Sequence, residues 1–242
     1  MSDERIEAIP TQWSMIRRAH LDGKPENATD ARRQMVLRYS VAIRRYVGAI
    51  VRSPEEADEL SQDVVMRMMR GDFGGADPER GRFRDLLKTA VRNMIRNHWD
   101  KSNRRRSVDF DLDLLAEQQD QARDAQWTAA WQKTLLDHTW ARMKSEQDGK
   151  GNAGYQALRL RAEFPEASSE ELAEKLSQAL KTPVKADAYR QTLRRARIKF
   201  AEHLFAEIRA GLDDDSTERI EEELVNLELL EIVRDFMPDK NE

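Results

Sequence analysis

The sequence predicts an all-α protein built of two small helical domains, on three observations. Apolar residues recur at three- and four-residue spacing through most of the chain. Two segments open with helix-start signals, Ser53-Pro54 with Glu56 and Ser168 with Glu171. Only 10 Gly and 7 Pro punctuate 242 residues, which leaves room for long uninterrupted helices. That length suits one large or two small domains.

The first helix carries Met35, Tyr39, Ile43, Tyr46, Val47 and Ile50 on one face. The second starts at Ser53, with Pro54 at its first position and Glu56 closing a capping box. It continues through Ala57, Leu60, Val64 and Met68 and stops at Gly71. Gly74, Gly75, Asp77, Pro78 and Gly81 make a loop. The third helix has the cleanest stripe: Phe83, Leu86, Leu87, Ala90, Val91, Met94, Ile95 and Trp99. Residues 107–123 read as an acidic linker, because Asp109, Asp111 and Asp113 precede a Gln- and Asp-rich stretch.

A second domain is expected from Asp124 to residue 210. Trp127, Trp131 and Leu135 recur at i, i+4, i+8, and Gly149, Gly151 and Gly154 end that helix. A short helix from Tyr155 to Glu163 follows, then one with Leu172, Leu176 and Leu180. After a turn holding Thr182-Pro183, a basic helix carries Tyr189, Leu193, Ala196, Phe200 and Leu204. Helix, turn, basic helix is the helix-turn-helix order, here with a longer turn than usual. In the tail, 211–242, one amphipathic helix is expected from Thr217 to Met237. Its wide apolar stripe must pack on something. It either completes the core of the second domain or lies over a basic helix as an autoinhibitory segment.

The net charge of −4 argues against a nucleic-acid binder, but its distribution argues the other way. Arg82 to Arg106 holds nine Lys/Arg against two Asp, and Lys185 to Arg209 holds seven against three acids. Asp213 to Asp235 holds ten Asp/Glu against two Arg. With 0 Cys, disulfides, zinc–thiolate sites and Cys nucleophiles are excluded. The first residues have no apolar signal-peptide core, and no apolar run is long enough to cross a bilayer, so a cytoplasmic location is expected. His20, His98, His138 and His203 are scattered, and no HExxH, P-loop or nucleophile elbow occurs. No enzyme, metal, cofactor or small-molecule substrate is therefore expected.

Opposite its apolar stripe the third helix shows Lys88, Arg92, Asn93, Arg96, Asn97, Lys101 and Arg104. Like charges four apart cost an isolated helix roughly 0.2–0.5 kcal/mol per pair, which a polyanion would relieve. Arg and Lys neutralise phosphates, while Asn and Arg can pair with base edges. The spacing of Trp99 favours the core over stacking on a base. The Gly-rich loop beside this helix suits a pocket for an extruded base. On the second helix Asp58, Glu59, Gln62 and Asp63 form an acidic and amide surface. The positive helix end accounts for Asp58 and Glu59; a partner with a basic patch would account for all four. Arg190, Gln191, Arg194, Arg195 and Arg197 lie mostly away from the core stripe of the late helix, either as a solvated face or as a DNA contact.

Ala57-Asp58-Glu59-Leu60-Ser61-Gln62-Asp63-Val64-Val65 resembles region 2.2 of extracytoplasmic-function sigma factors. Asp77-Pro78-Glu79-Arg80-Gly81-Arg82-Phe83-Arg84, with Leu86-Leu87 and Val91-Arg92-Asn93, resembles regions 2.3 and 2.4 and looks like a subgroup abundant in planctomycetes. Thr11-Gln12-Trp13-Ser14 and Glu221-Glu222-Glu223-Leu224 fit that subgroup, and Arg194-Arg195-Ala196-Arg197 matches the end of the region 4.2 recognition helix. Val65 stands where the family usually has Phe. The resemblance implies region 2 at 1–106, a linker at 107–123 and a region 4 helix-turn-helix at 124–210. It implies that Asp58, Glu59, Gln62 and Asp63 dock on the clamp helices of the polymerase largest subunit, with a further contact to the flap. It implies −10 binding by Asp77, Arg80, Arg92, Asn93, Arg96, Asn97, Lys101 and Arg104, and −35 binding by Arg190, Gln191, Arg194, Arg195 and Arg197. Partners would be core RNA polymerase and promoter DNA, with room for an anti-sigma protein, and no membrane. The competing expectations are a helix-turn-helix regulator acting without polymerase and a helical protein-binding adaptor.

Overall fold

The computed structural model describes residues 25–73, 83–103, 113–147, 153–212 and 216–237, and no strand occurs among them. The helices are α1 (Pro25–Ile50), α2 (Pro54–Arg70), α3 (Phe83–Asn103), α4 (Asp113–Gln147), α5 (Ala153–Glu163), α6 (Ser169–Leu180), α7 (Ala186–Arg209), α8 (Thr217–Asn226) and α9 (Leu230–Val233). A 3₁₀ turn, Arg234–Phe236, follows α9. The chain divides into two compact units: Met1–Thr134 with Arg209–Arg219, and Leu135–Ile208 with Ile220–Glu242.

Unit 1 is built on the predicted stripe of α1, where Met35, Tyr39, Ile43, Tyr46 and Val47 are each 0 % exposed. Only three residues separate α1 from α2, which makes them antiparallel neighbours. Ala57, Leu60, Val64 and Met68 supply the buried side of α2, and Phe83, Leu87, Val91, Met94 and Ile95 that of α3. Ser53 accepts the Glu56 N–H at 3.3 Å, but the expected capping box is half made, because the Glu56 carboxylate lies 3.2 Å from His98 Nε2 instead. Gly71 ends α2 at φ 87°, and both its N–H and that of Asp72 reach the Arg67 carbonyl.

The start of α4 belongs to this unit. Sequence reading begins a second domain near Asp124, yet the structure is helical from Asp113 and places the chain up to Thr134 in unit 1. Aromatic contacts account for this. Trp131 stacks on Tyr39 at 5.2 Å, Trp127 meets Tyr46 edge-on at 5.0 Å, and Arg45 donates to Thr134 Oγ1 at 2.8 Å. Leu, Ala, Glu and Gln after Asp113 are good helix formers. Trp127, Trp131, Leu135, Thr139 and Met143 are all buried at a strict four-residue interval. On a helix of 3.6 residues per turn that stripe winds by about 160° from Trp127 to Met143, so α4 buries different faces along its length.

In unit 2, Ala157, Leu172, Ala173, Leu176, Tyr189 and Leu193 form the core of α5, α6 and α7. Tyr189 Oη donates to the Ala157 carbonyl at 3.1 Å. The capping box of α6 is complete: Ser168 Oγ accepts the Glu171 N–H, and the Ser168 N–H donates to Glu171 Oε2. Lys181, at φ 54°, ends α6. Ser177 then fixes the turn, accepting the Val184 N–H at 2.8 Å. The remainder of α4 joins through Trp140, which contacts Phe200 at 4.9 Å and Tyr155 at 5.8 Å.

The tail differs from the single helix expected over Thr217–Met237. It breaks at 227–229, where Glu228 adopts φ 55°. The Leu229 N–H returns to Leu224 O and the Glu228 N–H to Val225 O, the left-handed helix stop that usually employs Gly. Ile220, Leu224, Leu227, Leu229 and Val233 are 0–1 % exposed. The stripe is therefore buried, as expected of a segment that completes a core.

Candidate nucleic-acid interface

The polar side of α3 is two surfaces rather than one. Asn93, Arg96 and Asn97 are exposed, with Arg96 donating to Asn93 Oδ1 at 3.2 Å. Lys88 and Arg92 are partly covered, because both reach Asp124 of α4, at 3.1 and 3.0 Å. Trp99 is half-buried rather than in the core, with the Arg123 guanidinium 4.9 Å from its ring centre. The sequence holds no signal for this cover, since Asp124 lies 32 residues from Arg92. Asp77, Arg80 and Arg104 lie outside the described residues, as does the side chain of Lys101.

On α2, Asp58, Glu59, Gln62 and Asp63 are all exposed, as the buried stripe of that helix requires. Gln62 Nε2 donates to Asp58 Oδ2 at 2.7 Å, and Arg44 Nε lies 3.9 Å from Asp58 Oδ1. Gln62 and Asp58 thus form one hydrogen-bonded surface, with Glu59 and Asp63 outward beside it. Met66, also exposed on this helix, was not singled out from the sequence.

In unit 2 the five residues expected on α7 are all exposed, but they are not equivalent. Arg190 is engaged by Asp187 and lies 3.6 Å from Glu170. The hydrogen bond to Asp187 and that residue's charge, with a smaller part from the charge of Glu170, hold its guanidinium above its ordinary value. Arg197 lines a cavity of about 460 Å³ together with Trp140, Phe200, Glu231, Asp235 and Phe236. Gln191, Arg194 and Arg195 remain as the open part of the helix, with Ile198, 39 % exposed, one turn further on. Ile198 went unnoticed in the sequence because an apolar residue in a helix is read as core. An exposed apolar side chain among Arg and Gln suits contact with a thymine methyl group.

His203 packs on the α7 side of unit 2. His203 is buried, with Nε2 3.1 Å from Glu146 Oε2 but not directed along a hydrogen bond. Burial pushes its pKa below the ordinary value against the pull of Glu146. Lys199 Nζ, 3.0 Å from the same oxygen, is the main reason the Glu146 carboxyl sits below its ordinary range. Among the described residues no group of His, Asp and Glu is placed to hold a metal ion, and no helix is long and apolar enough to cross a membrane.

No curated protein and no solved structure matches the chain. Residues 35–105 do match a family model, Sigma-70 region 2. The matched span runs from Met35 of α1 through the acidic surface of α2 to the end of α3, and so takes in both exposed polar surfaces of unit 1. The chain therefore carries a sigma-70 region 2 domain, which supports a sigma-70 family factor and indicates a role in RNA polymerase binding and promoter melting.

Proposed function

We propose that the chain is a sigma factor of the extracytoplasmic-function class, of the planctomycete-like subgroup, that carries core RNA polymerase to promoters with paired −10 and −35 elements. The observation that carries this reading is the pairing of a sigma-70 region 2 match with a second helical unit whose α7 shows Gln191, Arg194 and Arg195 open to solvent.

In this reading residues 1–106 act as region 2. Asp58, Glu59, Gln62 and Asp63 dock on the clamp helices of the polymerase largest subunit. The segment with Asp77 and Arg80 and the helix with Arg92, Asn93, Arg96, Asn97, Lys101 and Arg104 hold the −10 element and stabilise its open strand. Residues 107–123 thread the polymerase, and the part of 124–210 that lies in unit 2, Leu135–Ile208, acts as region 4, docking on the flap. Helix α7 enters the major groove at −35, with base contacts centred on Gln191, Arg194 and Arg195 and with Arg190 and Arg197 at the margins. The protein works in the cytoplasm, and an anti-sigma protein is a further candidate partner. No bond is made or broken by this subunit: binding energy is spent on strand opening.

The test is reconstitution. Purified chain mixed with sigma-free core polymerase should co-elute with it and support run-off transcription from fork-junction templates cut from its own genome. Tight duplex binding without polymerase association would favour a stand-alone helix-turn-helix regulator. Absence of salt-dependent DNA affinity, alone or with polymerase, would favour a protein-binding adaptor.

A further inference from the structure

Lys88 and Arg92, one turn apart on α3, both reach one oxygen, Asp124 Oδ1. The adjacent residue, Arg123, lays its guanidinium over the Trp99 ring. One dipeptide of α4 thus gives α3 an anionic oxygen for its two cations and a planar group for its aromatic ring. Single-stranded DNA offers the same two chemistries, phosphate oxygens and flat bases. The remaining polar residues of α3, Asn93, Arg96 and Asn97, are exposed.

The anchoring of α4 makes this cover separable. Trp127 and Trp131 are 3 % and 7 % exposed, whereas the Asp124 side chain, one turn before Trp127, keeps 49 % of its surface in water. Half-exposed ion pairs hold weakly. The side chains of Arg123 and Asp124 can therefore part from α3, by rotamer change or fraying of the first turns of α4, while both tryptophans hold the helix beyond them.

We infer that the Arg123–Asp124 pair of α4 is an intramolecular latch that competes with single-stranded DNA for Lys88, Arg92 and Trp99. The inference rests on the reading of α3 as a DNA-binding helix and concerns its regulation. In the free chain the latch fills one flank of the helix. A strand must displace it to gain the two cations and the stacking surface.

Four variants of the full chain test this, titrated with a short labelled A/T-rich single strand by fluorescence anisotropy. Asp124→Asn should bind about two- to tenfold more tightly than the parent. Asp85→Asn, which removes the same charge from an exposed position of α3 and leaves Asp124 in place, measures the gain from charge alone, and Asp124→Asn should exceed it. Arg123→Ala is the sharper variant. It removes a positive charge, which by itself weakens attraction to a polyanion. Tighter binding would therefore come from uncovering Trp99. Circular dichroism checks that each variant is folded, and Asp124→Glu, which keeps the charge, provides a second variant at that position and should return to parental affinity. Binding by Asp124→Asn no tighter than by Asp85→Asn, with no gain in Arg123→Ala over the parent, overturns the latch and leaves the DNA reading intact. No binding by the parent or any folded variant, at low salt, overturns both.

Discussion

Ser177 Oγ accepts the Val184 N–H at 2.8 Å and donates to Ala173 O at 2.7 Å, tying the turn before α7 back onto α6. Ser177→Ala leaves a partly buried N–H without that acceptor. It should cost about 1–2 kcal/mol, read as a lower midpoint of thermal or urea unfolding. A change within a few tenths of a kcal/mol would mean that water replaces the hydroxyl. The same turn positions Arg195, which is exposed. If it makes a paired base contact, Arg195→Glu should weaken duplex binding by about 1–3 kcal/mol in a gel-shift titration. Parental affinity would move the reading contact to Gln191 or Arg194. Exposure of these residues was legible, because the buried positions Tyr189, Leu193, Ala196 and Phe200 fix which side of the helix is left over. The partners of Arg190, Arg92 and Trp99 were not. Glu170, Asp124 and Arg123 come from other helices, and periodicity along one helix says nothing about charges arriving from another.

The helices themselves were largely legible because each buries a stripe at helical spacing. Their stops were less so. Glu228 sits at φ 55° in a helix stop with nothing in its side chain to announce it. A non-Gly residue there is strained, so Glu228→Gly should raise the melting temperature, by up to about 1 kcal/mol of stability. A loss instead would mean that the side chain has contacts outweighing the backbone strain. The pairing of α4 with α7 carries a pH dependence. The folded-state pKa of His203 lies below its ordinary 6.5, so the unfolded chain takes up that proton first. Its contribution is present above pH 6.5 and is lost as pH falls from there toward the folded-state value. The Glu146 carboxyl, also lowered, adds a loss in the same direction as pH falls below 4.5. Melting followed from pH 7.5 to 5 should show a decline that His203→Gln flattens. An identical decline in the variant would assign it to other groups.

At the scale of the whole molecule, a net charge of −4 conceals two basic helices and an acidic tail. How the tail is used follows from burial rather than charge. Were it a cover for the side of α7 proposed to meet DNA, Arg194 and Arg195 would be shielded; both are exposed. Its apolar residues Ile220, Leu224, Leu227, Leu229 and Val233 are instead 0–1 % exposed, and all five fall within unit 2. A fully buried side chain of this size contributes roughly 1.5–3 kcal/mol. Losing several of them compares with the whole stability of a small domain, about 5–15 kcal/mol. Truncation after residue 212 should therefore lower the melting temperature of unit 2, speed its proteolysis, and give no gain in affinity for −35 duplex DNA beyond the salt-dependent one that loss of acidic charge brings. A truncated chain that melts like the parent and binds duplex more tightly would show that the tail shields the helix after all. In that case Glu231 and Asp235, which line the same cavity as Arg197, would be the first to exchange for Gln and Asn.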